Sequence, residues 1–145
     1  MNNHLAIAFR SIISLAATHL PKNVYDHSLR VMIYVMSNTD IPTEMRDECI
    51  LAAIAHDLLE DSIVTLEDLP SMPEHIVDAI LLLTKDKHVH YVEYIRRIVA
   101  SRGKYYGNIA YWVKLADMKD HLAQQDTLTD NLKAKYLEAL PYLLP

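Results

Sequence analysis

At 145 residues the chain has the length of one domain, and 51% apolar with 23% charged residues suits a soluble globular fold around a single core. A net charge of −5 without a basic tail opposes non-specific nucleic-acid binding, and no run approaches the 18 or so apolar residues of a membrane-spanning helix. Lone Cys49 lies in an apolar helical stretch, cannot form an internal disulfide, and reads as a small core residue of a reducing compartment.

Leu5, Ala8, Phe9, Ile12, Ala16 and Leu20 recur at three- and four-residue spacing, which predicts an amphipathic helix over 4–20 ended by Pro21. Asn2, Asn3 and His4 stand where a signal peptide carries its basic residues, and Arg10 and Ser11 break the apolar segment, so the chain is expected in the cytoplasm. Residues 24–37 carry Val24, His27, Leu29, Val31, Ile33, Tyr34 and Val35, a helix too apolar for the surface and expected near the centre of the bundle. Thr43, after Pro42, is placed to cap a third helix running through Asp57. "SIVTLEDLP" reads as a loop with one short turn capped by Thr65, and Ser71 with Glu74 forms a capping box ahead of "IVDAILLLT", the fourth long helix. "KDKHVH" is a polar connector. Residues 91–101 and 109–124 are further helical patterns, separated by "RGKYYGN", read as a loop holding both glycines with Tyr105, Tyr106 and Asn108 exposed on it. The last helix, 129–140, starts at Thr129 and stops at Pro141. Nothing repeats and no linker divides the chain, which predicts one all-α domain, a bundle of six or seven helices.

Ionisable residues interrupt this apolar pattern. His56, Asp57, Glu60 and Asp61 close the run "ECILAAIAHDLLED", and burying such groups is costly unless they are paired or bind a metal. His27 lies inside the second apolar helix and Asp117 inside "YWVKLADMKDHL". Convergence of these three helices would explain all of them together. Two imidazoles and two carboxylates form a mixed nitrogen and oxygen set suited to a first-row divalent ion such as manganese, iron or zinc. Four protein ligands leave positions open for water and a substrate oxygen, an arrangement that catalysis needs. Neighbouring helical residues point about 100° apart, so His56 and Asp57 reach one ion only where the helix ends. Glu60 and Asp61 follow in the next turn, within reach of a water's proton. His4, His19, His75, His88 and His90 show no ligand spacing.

His27 in "YDHSLRV", then "AAIAHDLLEDS", "LLLTKDK", "VKLAD" and "YLEALPYL" resemble the HD-domain metal-dependent phosphohydrolases, and more closely the hydrolase domain of the RelA/SpoT group with its small stand-alone relatives. The resemblance spans most of residues 24–143. It implies His27, His56, Asp57 and Asp117 as ligands of a manganese-like ion, with Glu60 and Asp61 activating water for attack on phosphorus. It implies a small-molecule nucleotide as substrate, first of all guanosine tetra- or pentaphosphate losing its 3′-pyrophosphate. Thr84, Lys85 and Tyr91 line the substrate pocket by the same analogy. Arg30, three residues after His27, is placed to offer its guanidinium to phosphate. Lys114, three residues before Asp117, is either a phosphate contact or a surface charge. Two departures bear on the substrate: the family usually has asparagine four residues after the aspartate of "KLAD", where this chain has His121, and the basic stretch before the first histidine is reduced to Lys22. Another nucleotide substrate is therefore the nearer alternative, and a metal- or nucleotide-binding regulatory module the farther one. Intact Glu60 and Asp61 argue against the latter, since a sensor needs no water-activating carboxylates. The composition permits self-association without requiring it.

Overall fold

The computed structural model describes residues 1–144, which form eight helices and no strand. They are α1 (Asn3–His19), α2 (Lys22–Ser37), α3 (Arg46–Ala55), the single turn α4 (Leu58–Asp61), α5 (Glu74–Leu83), α6 (Tyr91–Ala100), α7 (Tyr105–Ala123) and α8 (Asp130–Leu143). Seven of them have ten residues or more, so the expected all-α bundle is what forms.

The core is built around α3. Leu51, Ala52, Ala53, Ile54 and Ala55 are all fully buried, and the small alanines let neighbours approach on every side. α1, α2, α5 and α7 all pack on it. Asn2 starts α1 by accepting the Leu5 amide proton at 2.9 Å, and Leu5, Ala8, Ile12 and Ala16 form its buried stripe. Pro21 then separates α1 from α2. α2 does not occupy the centre as expected: it lies along α3 and α7, burying His27, Ser28, Val31 and Val35 while Ile33 and Met36 stay 55% and 52% exposed. Its apolar content covers two faces, only one of which finds a partner.

Several boundaries differ from those that local signals predict. Thr43 caps nothing; residues Thr43–Met45 make a separate 3₁₀ turn and α3 begins at Arg46. Thr65 does cap the 3₁₀ turn Leu66–Asp68, with both its amide and its hydroxyl on the Asp68 carboxylate. The Ser71–Glu74 box does not form, because Pro73 is extended and α5 starts only at Glu74, leaving Ser71 outside the helix. α7 begins at Tyr105, so Tyr105, Tyr106, Gly107 and Asn108 belong to a helix instead of a loop. α8 is capped by Thr129 and runs through Pro141 to Leu143. Leu143 is fully buried and its carbonyl accepts the Tyr111 hydroxyl at 3.0 Å, so tertiary anchoring outweighs the local preference of proline. Among the described residues no helix is long and apolar enough to cross a membrane.

Candidate metal centre

α2, the α3–α4 junction and α7 bring His27, His56, Asp57 and Asp117 to one point. The apolar face of α3 carries His56 inward, and the chain then pauses for two residues before α4 resumes at Leu58. That pause turns Asp57 towards the same place: its Oδ2 lies 3.2 Å from His56 Nε2 and 3.7 Å from His27 Nε2. Asp117 Oδ1 lies 2.8 Å from His27 Nε2 and 3.1 Å from His56 Nε2. The helix breaks where two adjacent side chains must share one target, as the sequence requires.

Behind each imidazole sits a group that orients it. His56 Nδ1 donates to the Ala53 carbonyl at 2.6 Å, so in the neutral ring the lone pair is on Nε2. His27 Nδ1 faces Asp120 Oδ2 at 2.6 Å, the carboxylate behind a histidine that commonly supports metal ligation. Asp120 is completely buried and its other oxygen takes Arg30 Nε at 2.8 Å. Replacing Asp120 with asparagine should weaken divalent-ion binding about 10–100-fold with the fold intact, a loss that calorimetric titration of the variant would measure.

Electrostatics follow from these contacts. Burial opposes a charge on His27, but the hydrogen bond and charge of Asp117 outweigh it and hold the ring above its ordinary value. His56 behaves likewise, held well above its ordinary value against complete burial by Asp57 and Asp117. Asp117 is held well below the carboxylate range, despite burial, by the Lys114 ammonium at 2.7 Å and by the histidines. Lys114 is 5% exposed and is itself held charged by Asp117. Of the alternatives read from its spacing, the surface charge is excluded: Lys114 is the buried partner of Asp117 and one of the residues that line the cavity beside it.

Two overlapping triads, His27–His56–Asp57 and His27–Asp117–His121, each place their candidate ligand atoms within 4.8 Å of one another. Imidazole nitrogens with inward lone pairs beside ionised carboxylates are donors that a first-row divalent ion fits.

A cavity of about 570 Å³ opens onto this cluster. Glu60 and Asp61 lie on its wall beside the ligands, with Glu60 Oε1 accepting the Lys85 amide proton at 2.6 Å. Partial burial and the charges of Asp57 and Glu60 push the Asp61 carboxyl up to about 6. Arg30, placed by its spacing from His27, and Lys85 and Tyr91, implied by resemblance, line the cavity, and the Tyr91 hydroxyl is buried without a partner. The Lys85 ammonium is engaged by the carbonyls of Asp86 and Val89, so its main chain serves the site more directly than its charge. Thr84 is a correction: its hydroxyl donates back to the Ile80 carbonyl at 2.8 Å and does not line the cavity. His75 belongs to a different cluster, with Glu48 and Tyr105.

Several residues of the cavity lining are not among those the sequence marks for the site. Asp120 and His121 stand three and four residues after Asp117, hence on the same helical face, a signal that was available. Lys135 and Tyr136 come from α8, and nothing local marks them. Lys135 sits over the rings of Tyr91 and Tyr136, 4.8 and 5.1 Å from their centroids.

Compared with known protein families, residues 24–135 match the model described as HD domain. No curated protein matches the chain.

Proposed function

The chain belongs to the HD-domain family, whose typical activity is metal-dependent phosphohydrolysis, and from that premise we propose that it cleaves a phosphate ester of a small-molecule nucleotide, guanosine tetra- or pentaphosphate first. The observation that carries this reading is the convergence of His27, His56, Asp57 and Asp117 at the floor of a cavity whose wall adds two further carboxylates. A bound divalent ion, manganese in the first instance, would be held by those four residues and would acidify water and polarise a phosphoryl oxygen.

The remaining work falls to side chains. Asp61, with its carboxyl near 6, is matched to accept a proton from the attacking water at neutral pH. Glu60, fixed by the Lys85 amide, orients that water. Water adds to phosphorus, the bond from phosphorus to the 3′ oxygen breaks, and the proton taken by Asp61 returns to the leaving oxygen. Guanosine tetraphosphate and water thus become GDP and pyrophosphate. The free end of the Arg30 guanidinium and the Lys135 ammonium, both on the cavity lining, neutralise phosphate charge. A different nucleotide is favoured by one observation: Lys22, the basic residue before His27, is not among the residues lining the cavity, and its exposed ammonium is taken up by Asp26 at 2.8 Å.

The test is incubation of the manganese-loaded protein and an Asp61→Asn variant with guanosine tetraphosphate and ordinary nucleotides, products being resolved by chromatography. Wild type should release GDP and pyrophosphate, and the variant should turn over about 10²–10⁴-fold more slowly with its ion still bound. Release from another nucleotide alone would replace the substrate, and a loaded protein inert towards all of them would overturn the hydrolase.

A further inference from the structure

We infer that His121 is a fifth protein ligand, which makes the centre one of three imidazoles and two carboxylates. This rests on the metal-site reading above and adds a donor to it. His121 Nε2 lies 3.2 Å from Asp117 Oδ1, the oxygen that His27 Nε2 and His56 Nε2 also face at 2.8 and 3.1 Å. Three ring nitrogens around one carboxylate oxygen exceed its two lone pairs as a set of hydrogen-bond donors. A cation among them takes a lone pair from every ring, so the arrangement is explained by an ion and not by hydrogen bonding.

The fold delivers this ring deliberately. Asp117 and His121 are one turn apart on α7, hence stacked on the face that meets α2. The His121 ring is held between two others: His27, with centroids 4.3 Å apart and planes at 27°, and Tyr136 of α8, 4.8 Å away at 15°. Tyr136 is buried, so the clamp is a fixed wall. His121 itself stays 35% exposed on the cavity side, where an entering ion would pass.

One consequence follows: a nitrogen-rich set would shift preference towards the later ions, cobalt and zinc, relative to manganese.

The experiment counts ligated rings. Protein carrying ¹⁵N-labelled histidine is titrated with Zn²⁺ and its ring nitrogens are followed by NMR; affinities for Zn²⁺ and Mn²⁺ are measured by calorimetry for wild type, His121→Asn and a His4→Asn control. Three histidines should move together into the metal-bound range in wild type and in the control, and two in His121→Asn. A lost ligand should cost no less than a lost supporting residue, so Zn²⁺ affinity should fall about 10–100-fold in His121→Asn, with a smaller loss for Mn²⁺. Two moving rings in wild type, or an unchanged Zn²⁺ affinity in His121→Asn, would overturn the assignment of His121 and leave the four-ligand centre standing. A wild type that takes up neither ion would overturn both readings. Because the ring count is made on wild type, it does not depend on how the variant folds.

Discussion

Asp117→Ala is expected to lose ion binding and hydrolysis together and to destabilise the ion-free protein by about 3–5 kcal/mol, the range for breaking a buried ion pair from one side. Asp117 and Lys114 are both buried, and the ammonium lies 2.7 Å from Asp117 Oδ2 with no other carboxylate bonded to it among the described residues. Removing the carboxylate strands a charge held far above water's reach. The double variant Lys114→Met, Asp117→Leu should recover most of that stability, because apolar replacements of a buried pair are often neutral or better, while ion binding stays absent. Urea denaturation without metal, paired with calorimetric titration, separates the two effects. A single variant as stable as wild type would show that Lys114 has another way to satisfy its charge.

Gly107→Ala should destabilise by about 1–3 kcal/mol or more, as overpacking does. The expected sign is opposite to the rule, since glycine inside a helix is normally worse than alanine by about 0.5–1 kcal/mol. A Cβ at Gly107 would stand 1.8 Å from the Ser101 carbonyl oxygen and 2.3 Å from its carbon. Those are backbone atoms at the corner between α6 and α7, so no rotamer change relieves the overlap. For Gly→Ala inside a helix, propensity alone would predict a gain. Comparison of unfolding midpoints with a Gly103→Ala variant, where nothing lies within 4 Å, tests the difference. Equal midpoints for both variants would mean that α6 and α7 can part without cost.

Most of the architecture was legible because apolar spacing is dense and turns are few. What misled were local signals that tertiary structure overrode. Pro141 signals a stop, but Leu143 buries and carries α8 past it. "RGKYYGN" has the composition of a loop because of its two glycines, although Gly107 is there for close approach and not for conformational freedom. In the site, His27, His56, Asp57 and Asp117 stood out because each is an ionisable residue in an apolar run, and the structure brings them to one point. Asp120 and His121 sit in "DMKDHL", where polar neighbours disguise a buried face. Counting three and four residues from Asp117 recovers them. Lys135 is different in kind: it meets the site through the packing of α8 on α6 and α7, a long-range relation that no spacing in the chain encodes.

His27 is separated from Asp117 by 90 residues and His56 from Asp117 by 61. α7 cannot bring Asp117 to α2 or to the end of α3 until the long stretches of chain between them have closed, which places the assembled ligand set late on the folding route. Interactions absent from the transition state act on unfolding and scarcely on folding. A bound ion would thus work as a latch: it would leave the speed of folding alone and lengthen the life of the native state, tying the persistence of this bundle to the supply of metal around it.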